Sequence, residues 1–459
     1  MEGWKRAGFD DSAWASAIED PVDETVSLRP KLHSPIRVAQ ELSAVDLVST
    51  SNGVAVFDLG QNMVGVPRIT VPAIAGQEIK VRFAEALHKG DFYTENYRGA
   101  HSTDYVLPDR TATILYQPTF TYHGFRYVEI SGFDSSQVPS KDWLIALVQH
   151  SDVGLHASFE SSHAKLNQLS ENVLWGLRGN FYDIPLDCPQ RDERLGWTGD
   201  AQVFAGASMY MADVYGFWSA WLQSMREDQQ EDGAIPHYIP FGEWINWSSS
   251  GWGDAATIIP WELYVLTGDQ TILQDNYELM MGLLDFHECQ SENHISSMRT
   301  FGDWLQPYSK TEGNNANRGD TDFGLISTAF HARSVELTAN AARVLGKEDD
   351  VRRLSDLHGQ IKTAFRNGFF DERLQPKKGD ATQTAYLLGL AFGLFDTVEV
   401  ALAQELLVGL IDQADMHLRT GFLGTPLLMS ILQEAGRSDL AYELLLKETY
   451  PSWFHSINN

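Results

Sequence analysis

One stretch of the chain concentrates groups able to do acid–base chemistry. Asp187-Cys188-Pro189-Gln190-Arg191-Asp192-Glu193-Arg194-Leu195-Gly196-Trp197-Thr198-Gly199-Asp200 holds four carboxylates, two arginines, an indole and two glycines within 14 residues. Carboxylates crowded beside one another and beside an apolar ring have their pKa values pushed apart. Glycoside hydrolysis needs that separation, with one carboxylic acid protonated and another ionised. Glu193 stands four residues before Trp197, a spacing that can set an indole against its carboxyl and raise its pKa by desolvation. The competing reading pairs Asp192 and Glu193 with Arg191 and Arg194 as a surface ion-pair knot and makes Asp200 a helix cap.

Two further segments offer the same residue types. Gly251-Trp252-Gly253-Asp254 and Gly302-Asp303-Trp304 each set an acid beside a Trp in a glycine-flanked turn. Brought together from the ends of successive helices, such loops would line an acidic, aromatic pocket. Sugar sites use aromatic faces to cover the apolar C–H faces of pyranose rings. The alternative makes Trp252 and Trp304 hydrophobic plugs and Asp254 and Asp303 N-caps. His237 and His287 are scattered, and no HxxxH or HExxH pair occurs, so no metal site is expected. No GxxxxGK[ST] loop is present, and no cofactor is expected.

Composition narrows the partners. The net charge of −28 argues against a phosphate backbone or an anionic membrane surface as ligand. The longest near-apolar run, Ala385 to Phe395, is too short for a bilayer, which takes about 20 residues. Two cysteines, Cys188 and Cys289, cannot build a disulfide framework or a four-cysteine zinc site. The start of the sequence carries no signal-type apolar stretch, and the compartment stays open between cytoplasmic and extracellular.

The elements that must position these residues have two textures. From about Ser34 to Ser151, β-branched and aromatic residues alternate with polar ones, as in Ile79, Val81 and Phe83, with glycine and proline breakers between runs. That pattern predicts an antiparallel β-sandwich over 36–152. From about Phe159 the periodicity is helical. Leu166, Leu169, Val173, Leu174 and Leu177 share a face, as do Trp218, Trp221, Leu222 and Met225, then Val351, Leu354, Ile361 and Phe365. A later stripe is Leu402, Leu406 and Leu410, with Leu407 and Ile411 beside it. Roughly ten helical segments joined as hairpins over 153–459 make a bundle, a solenoid or a closed α/α toroid. The first 35 residues, including Gly3 to Trp14, are too few for a core and read as the tail of a preceding β domain.

The string from Asp187 to Gln202 resembles the signature of the α-L-rhamnosidases of glycoside hydrolase family 78, almost letter for letter. Phe57-Asp58-Leu59-Gly60-Gln61-Asn62 with Gly65, Phe83-Ala84-Glu85 and Tyr122-His123-Gly124-Phe125-Arg126-Tyr127 are similar to the β-sandwich that precedes the catalytic domain in that family. Gly251 to Ala255, Gly302 to Trp304, Gln383-Thr384-Ala385 and Thr420 to Thr425 resemble its helical domain. The resemblance implies a β-sandwich followed by an (α/α)6 toroid and inverting release of terminal α-L-rhamnose from rhamnosides. It implies Glu193 as general acid, Asp187 and Arg191 on the ring hydroxyls, Trp197, Trp252 and Trp304 as walls, Asp200 and Asp254 supporting the site by hydrogen bonds or charge, and Asp303 with them in the binding set. Asp192 stays open between ion pair and ligand.

In that family a Tyr-Pro-Ser-Trp segment, here Tyr450-Pro451-Ser452-Trp453, is followed shortly by the Glu that serves as general base. The resemblance therefore implies that the base and the closing helices lie beyond Asn459. Weak turnover and self-association through an open C-terminal seam are the expectations that go with this. Three other readings remain: a non-catalytic carbohydrate-binding remnant, another α/α-toroid glycosidase of glucosidase or trehalase type, and a structural helical scaffold.

Overall fold

The computed structural model describes residues 4, 6–21, 26–51, 53–242, 247–313 and 316–458. Gly3 and Lys5 of the opening stretch, and Asn459, lie outside the described residues. The described residues before Ile36 contain no helix or strand.

Ten strands follow: β1 (Ile36–Ser43), β2 (Asp46–Ser51), β3 (Val54–Ala73), β4 (Ile79–Ala84), β5 (Ala86–His88), β6 (Asp91–Tyr93), β7 (Thr103–Val106), β8 (Ala112–Tyr116), β9 (His123–Ser131) and β10 (Leu144–Ser151). Eight of them form one antiparallel sheet in the order β1-β10-β3-β9-β4-β7, with β2 and β8 also on β3. The long β3 turns the sheet on itself. Its first half pairs with β2 and β9, and its second half with β10 and β8. The residues that close around the core are the alternating set read from the sequence, with Ile79, Val81 and Phe83 all buried. β5 and β6 form a separate hairpin, and the loop after it, 94–102, leaves the sheet toward the helical domain.

The helices are α1 (Ala164–Asn180), α2 (Thr198–Met211), α3 (Tyr215–Asp228), α4 (Ala255–Thr267), α5 (Gln270–Cys289), α6 (Phe323–Val344), α7 (Glu348–Phe369), α8 (Gln383–Ala391), α9 (Val400–Gln413), α10 (Thr425–Glu434), α11 (Ser438–Leu445) and α12 (Trp453–Asn458). Alternate helices touch in sequence: α2 meets α4, α4 meets α6, α6 meets α8, and α8 meets α10. These form the inner ring, and α3, α5, α7, α9 and α11 pack outside them. Residue chemistry follows the layers. The inner α6 and α8 are buried over most of their surface, whereas the outer α7 buries only Leu354, Leu357, Ile361 and Phe365. α12 lies on α1, where the Phe454 ring stacks on His163 at 5.3 Å.

Two of the four expected stripes need correction. On α1 only Leu177 of the apolar stripe is fully buried, and Val173 is exposed. On α9 the buried face is Ala403, Leu407 and Ile411, and Leu402 is exposed. The run of apolar residues in α9 is wider than one face, so periodicity alone left the core face ambiguous by about one position. Among the described residues, no helix is long and apolar enough to cross a membrane.

Gly65 marks the tightest point of β3. Its φ is +151°, and a Cβ there would lie 1.9 Å from the carbonyl oxygen of Leu147. Gly76 also has positive φ but open space around it. In urea unfolding, Gly65→Ala should cost at least about 1–3 kcal/mol more than Gly76→Ala, because only the first adds a clash with backbone. Equal losses would contradict this packing.

Candidate active site

The acidic segment is the connection from α1 to α2. α1 ends in a short hairpin, Phe181–Tyr182 against Ile184–Pro185, that turns the chain over the end of the helical domain. Asp187 then clasps the loop shut. Its backbone N–H donates to the Leu195 carbonyl at 2.9 Å, and its Oδ1 accepts the Leu195 N–H at 2.9 Å. The loop end is stitched to the next connection. The Thr198 N–H and hydroxyl both donate to the His237 carbonyl, and the Ile239 N–H donates to the Gly196 carbonyl. Trp197 and Asp200 therefore sit on the rigid start of α2.

Charges meet at Glu193. Arg191 Nη2 lies 3.0 Å from Glu193 Oε2 and 3.5 Å from Asp187 Oδ2. Arg98 Nη1 reaches the same Oε2 at 2.9 Å. The expected indole contact is thus not what holds this carboxyl; two guanidiniums are. Arg194 points elsewhere, its guanidinium 4.8 Å from the centre of the Tyr122 ring. Of the competing ion-pair knot, the Arg191–Glu193 pair forms, whereas Asp192 accepts the Gly99 N–H at 3.0 Å and no Asp192–Arg194 ion pair occurs among the described residues. Burial pushes the Asp187 carboxyl above its usual range, against the bonds from Cys188 and Leu195 that favour its ionised form. Burial also takes Asp200 up to about 7, and the charges of Asp187 and Glu193 add to it.

Asp187, Cys188 and Glu193 bring one ligand-type atom each within 4.8 Å of one another. The neighbouring Arg191 opposes a cation there. So does the Cys188 thiol, which burial raises to about 12.

The aromatic wall is narrower than expected. Trp197 and Trp304 are half-buried and flank Phe301, each edge-on to it, at 6.0 and 5.9 Å between ring centres. Trp252 is only 3% exposed and packs behind them, 4.8 Å from Phe301. It is core, not wall. Asp254 and Asp303 are wholly buried and offer no atom to a ligand. A buried carboxylate is costly unless its lone pairs are satisfied, and both are satisfied by protein. Asp254 accepts from His287 Nε2 at 3.0 Å, Ser334 Oγ at 2.6 Å and the Gly251 N–H at 2.7 Å. Burial works against its ionised form, but the charge and hydrogen bond of His287 outweigh it and hold the pKa down. Asp303 accepts from Thr384 Oγ1 and the N–H groups of Gly421, Leu423 and Gly424. Its neighbour Trp304 accepts the Phe422 N–H at 2.8 Å. Asp303 thereby fixes the loop that presents Trp304, and its place in the binding set is corrected to support.

Sequence reasoning missed the contribution of the sandwich. The 94–102 loop supplies Arg98 to Glu193 and Gly99 to Asp192. Glu85 accepts Asn96 at 2.9 Å and Asn62 at 3.1 Å and is bonded by Gln190 of the acidic loop. Gly124 lies against Pro189 and Gln190. Arg98 and Glu193 are 95 residues apart, and no local spacing joins them.

Residues 155–459 match the bacterial alpha-L-rhamnosidase six-hairpin glycosidase domain, and residues 48–150 match the bacterial alpha-L-rhamnosidase concanavalin-like domain. The chain belongs to the bacterial α-L-rhamnosidase family. It is 60% identical over 459 residues to an alpha-L-rhamnosidase of Alteromonas sp. (strain LOR), covering all of this chain and 50% of that protein. An alpha-L-rhamnosidase of Formosa agariphila is 50% identical, with 100% of this chain and 49% of the relative covered. The solved Streptomyces avermitilis alpha-L-rhamnosidase complexed with L-rhamnose superposes with a TM-score of 0.92 at 38% identity, over 100% of this chain and 43% of that one. The chain spans about half the length of the curated relatives it matches.

The raised pKa of Asp200 has a consequence for stability. Folded Asp200 holds its proton up to about pH 7, whereas the unfolded side chain loses it near the ordinary 3.8. The folded state binds more protons across that window, so this group subtracts stability as pH rises through it. Asp200→Asn should therefore gain melting temperature over the parent progressively between about pH 4 and pH 7. A difference that does not change with pH would contradict the burial of this carboxyl.

Proposed function

We propose that this chain carries the catalytic site of an inverting glycoside hydrolase that releases terminal, non-reducing α-L-rhamnose from rhamnose-containing glycosides or oligosaccharides. The observation that carries the reading is Glu193, held by two guanidiniums in the loop that also bears Asp187, Trp197 and Asp200. Glu193 is the general acid that protonates the leaving oxygen. Asp187 and Arg191 hold ring hydroxyls, Asp200 adds a polar group at the start of α2, and Trp197 and Trp304 cover the apolar side of the ring with its C6 methyl. Trp252, Asp254 and Asp303 act behind this surface, by packing and by hydrogen bonds to the loops.

The oxygens of Asp187 and Glu193 lie within 4.8 Å. An inverting pair needs about 6.5–9.5 Å to admit the attacking water. The base is therefore a carboxylate outside this pair. Membership of the rhamnosidase family counts against the glucosidase or trehalase reading. The self-association reading has α1 as its candidate surface, where Val173 is exposed and Leu166, Leu169 and Leu174 are half-buried.

Release of nitrophenol from p-nitrophenyl α-L-rhamnoside, with and without sodium azide, tests the reading. Azide is a nucleophile that needs no general base, so turnover in its presence alone means that sugar binding and leaving-group departure are intact and water activation is missing. Glu193→Gln should lower hydrolysis of natural rhamnosides by about 10²–10⁴-fold while sparing rhamnose binding. Undiminished hydrolysis in that variant would overturn the assignment.

A further inference from the structure

We propose that Arg98 of the sandwich domain is a positioning residue for the general acid, locking Oε2 of Glu193 so that Oε1 delivers the proton. The proposal rests on Glu193 being the acid. Both guanidiniums at this carboxyl converge on one oxygen: Arg98 Nη1 at 2.9 Å and Arg191 Nη2 at 3.0 Å from Oε2. Among the described residues, no hydrogen bond reaches Oε1. The carboxyl thus has one anchored oxygen and one free oxygen, with the free one available to a ligand. In the reaction the proton passes from Oε1 to the glycosidic oxygen, which takes the electron pair of the breaking C–O bond, while water adds to the anomeric carbon and gives its proton to the base outside the Asp187–Glu193 pair. Negative charge grows on the Glu193 carboxylate as the proton leaves, and it grows beside two guanidiniums, the more exposed Arg98 and the more buried Arg191. Preorganised charge of this kind favours the proton-transfer transition state.

Arg98 is built for this place. It closes the helical turn Glu95–Tyr97 with φ +56° and ψ −119°, a conformation L residues avoid. Local contacts hold it there. The Tyr97 hydroxyl donates to the Gly124 carbonyl at 2.6 Å, Asn96 donates to Glu85, and the Gly99 N–H donates to Asp192. The strained residue sits between the sandwich and the acidic loop, with its side chain aimed across the boundary.

The test compares two leaving groups. Methyl α-L-rhamnoside needs a proton on its leaving oxygen, and 2,4-dinitrophenyl α-L-rhamnoside does not. Arg98→Gln should lower kcat/KM for the methyl glycoside by at least about 10-fold and for the dinitrophenyl glycoside by less than about twofold, since only the first uses general acid catalysis. Arg98→Lys, which keeps a cation, should recover most of the loss. Arg68→Gln breaks a comparable pair with Glu41 elsewhere on the sandwich and should leave both rates unchanged. Equal losses on both glycosides, or none, would overturn the proposal. Crystal structures of the parent and Arg98→Gln give a readout independent of turnover. The Glu193 carboxyl should leave its position while the backbone of 187–197 stays, and an unmoved carboxyl would also overturn it. If the parent cleaves neither glycoside even with azide present, the hydrolase reading fails, and the crystal comparison still decides the role of Arg98.

Discussion

A single carboxylate oxygen, Oε2 of Glu193, is paired with guanidiniums from both domains. Arg191 comes from its own loop and Arg98 from the sandwich, and the Glu193 side chain is only 16% exposed. Exposed ion pairs are worth little because water screens them. A carboxylate this sheltered would be expensive if left unpaired. The two domains are therefore coupled at the point where the chemistry is proposed to occur. Gly99 on Asp192, Gln190 on Glu85 and Arg194 over Tyr122 widen that coupling into a seam along the acidic loop. The sandwich shapes the site and is more than a neighbour of it.

Behind the seam, buried carboxylates do structural work that exposed ones cannot. Asp303 gathers four donors from two separate segments of the helical domain, Thr384 and the 421–424 loop, so the position of Trp304 is fixed by a polar anchor as well as by packing. Asp254 does the same for the Gly251 turn through His287 and Ser334. The aromatic surface left facing outward, Trp197 and Trp304 about Phe301, rests on these anchors and on the buried Trp252.

Much of this was legible before any coordinates. The acid-rich loop between two helical stretches, the β then α textures and the apolar stripe of α7 follow from residue chemistry and period. What failed had physical causes. Trp252 reads like Trp304, because a Trp beside an Asp in a glycine turn carries no mark of whether it faces core or solvent. Asp303 reads as a ligand or a cap, but its four-donor burial depends on Thr384 and the 421–424 loop, far away in sequence. Arg98 is invisible for the same reason: its partner is joined to it only by the docking of two domains. The broad apolar run of α9 fits more than one face, and packing against α8 chose among them.

The central claim is that Glu193 faces the leaving oxygen of a rhamnoside seated against the Trp197–Trp304 wall. The most direct measurement is the crystal structure of this chain with uncleaved methyl α-L-rhamnoside bound. The account requires the anomeric oxygen within hydrogen-bond reach of Glu193 Oε1, about 2.6–3.2 Å, with the ring against Trp197 and Trp304 and hydroxyls on Asp187 and Arg191. A sugar bound with its anomeric carbon turned away from Glu193, or seated outside this loop, would contradict it.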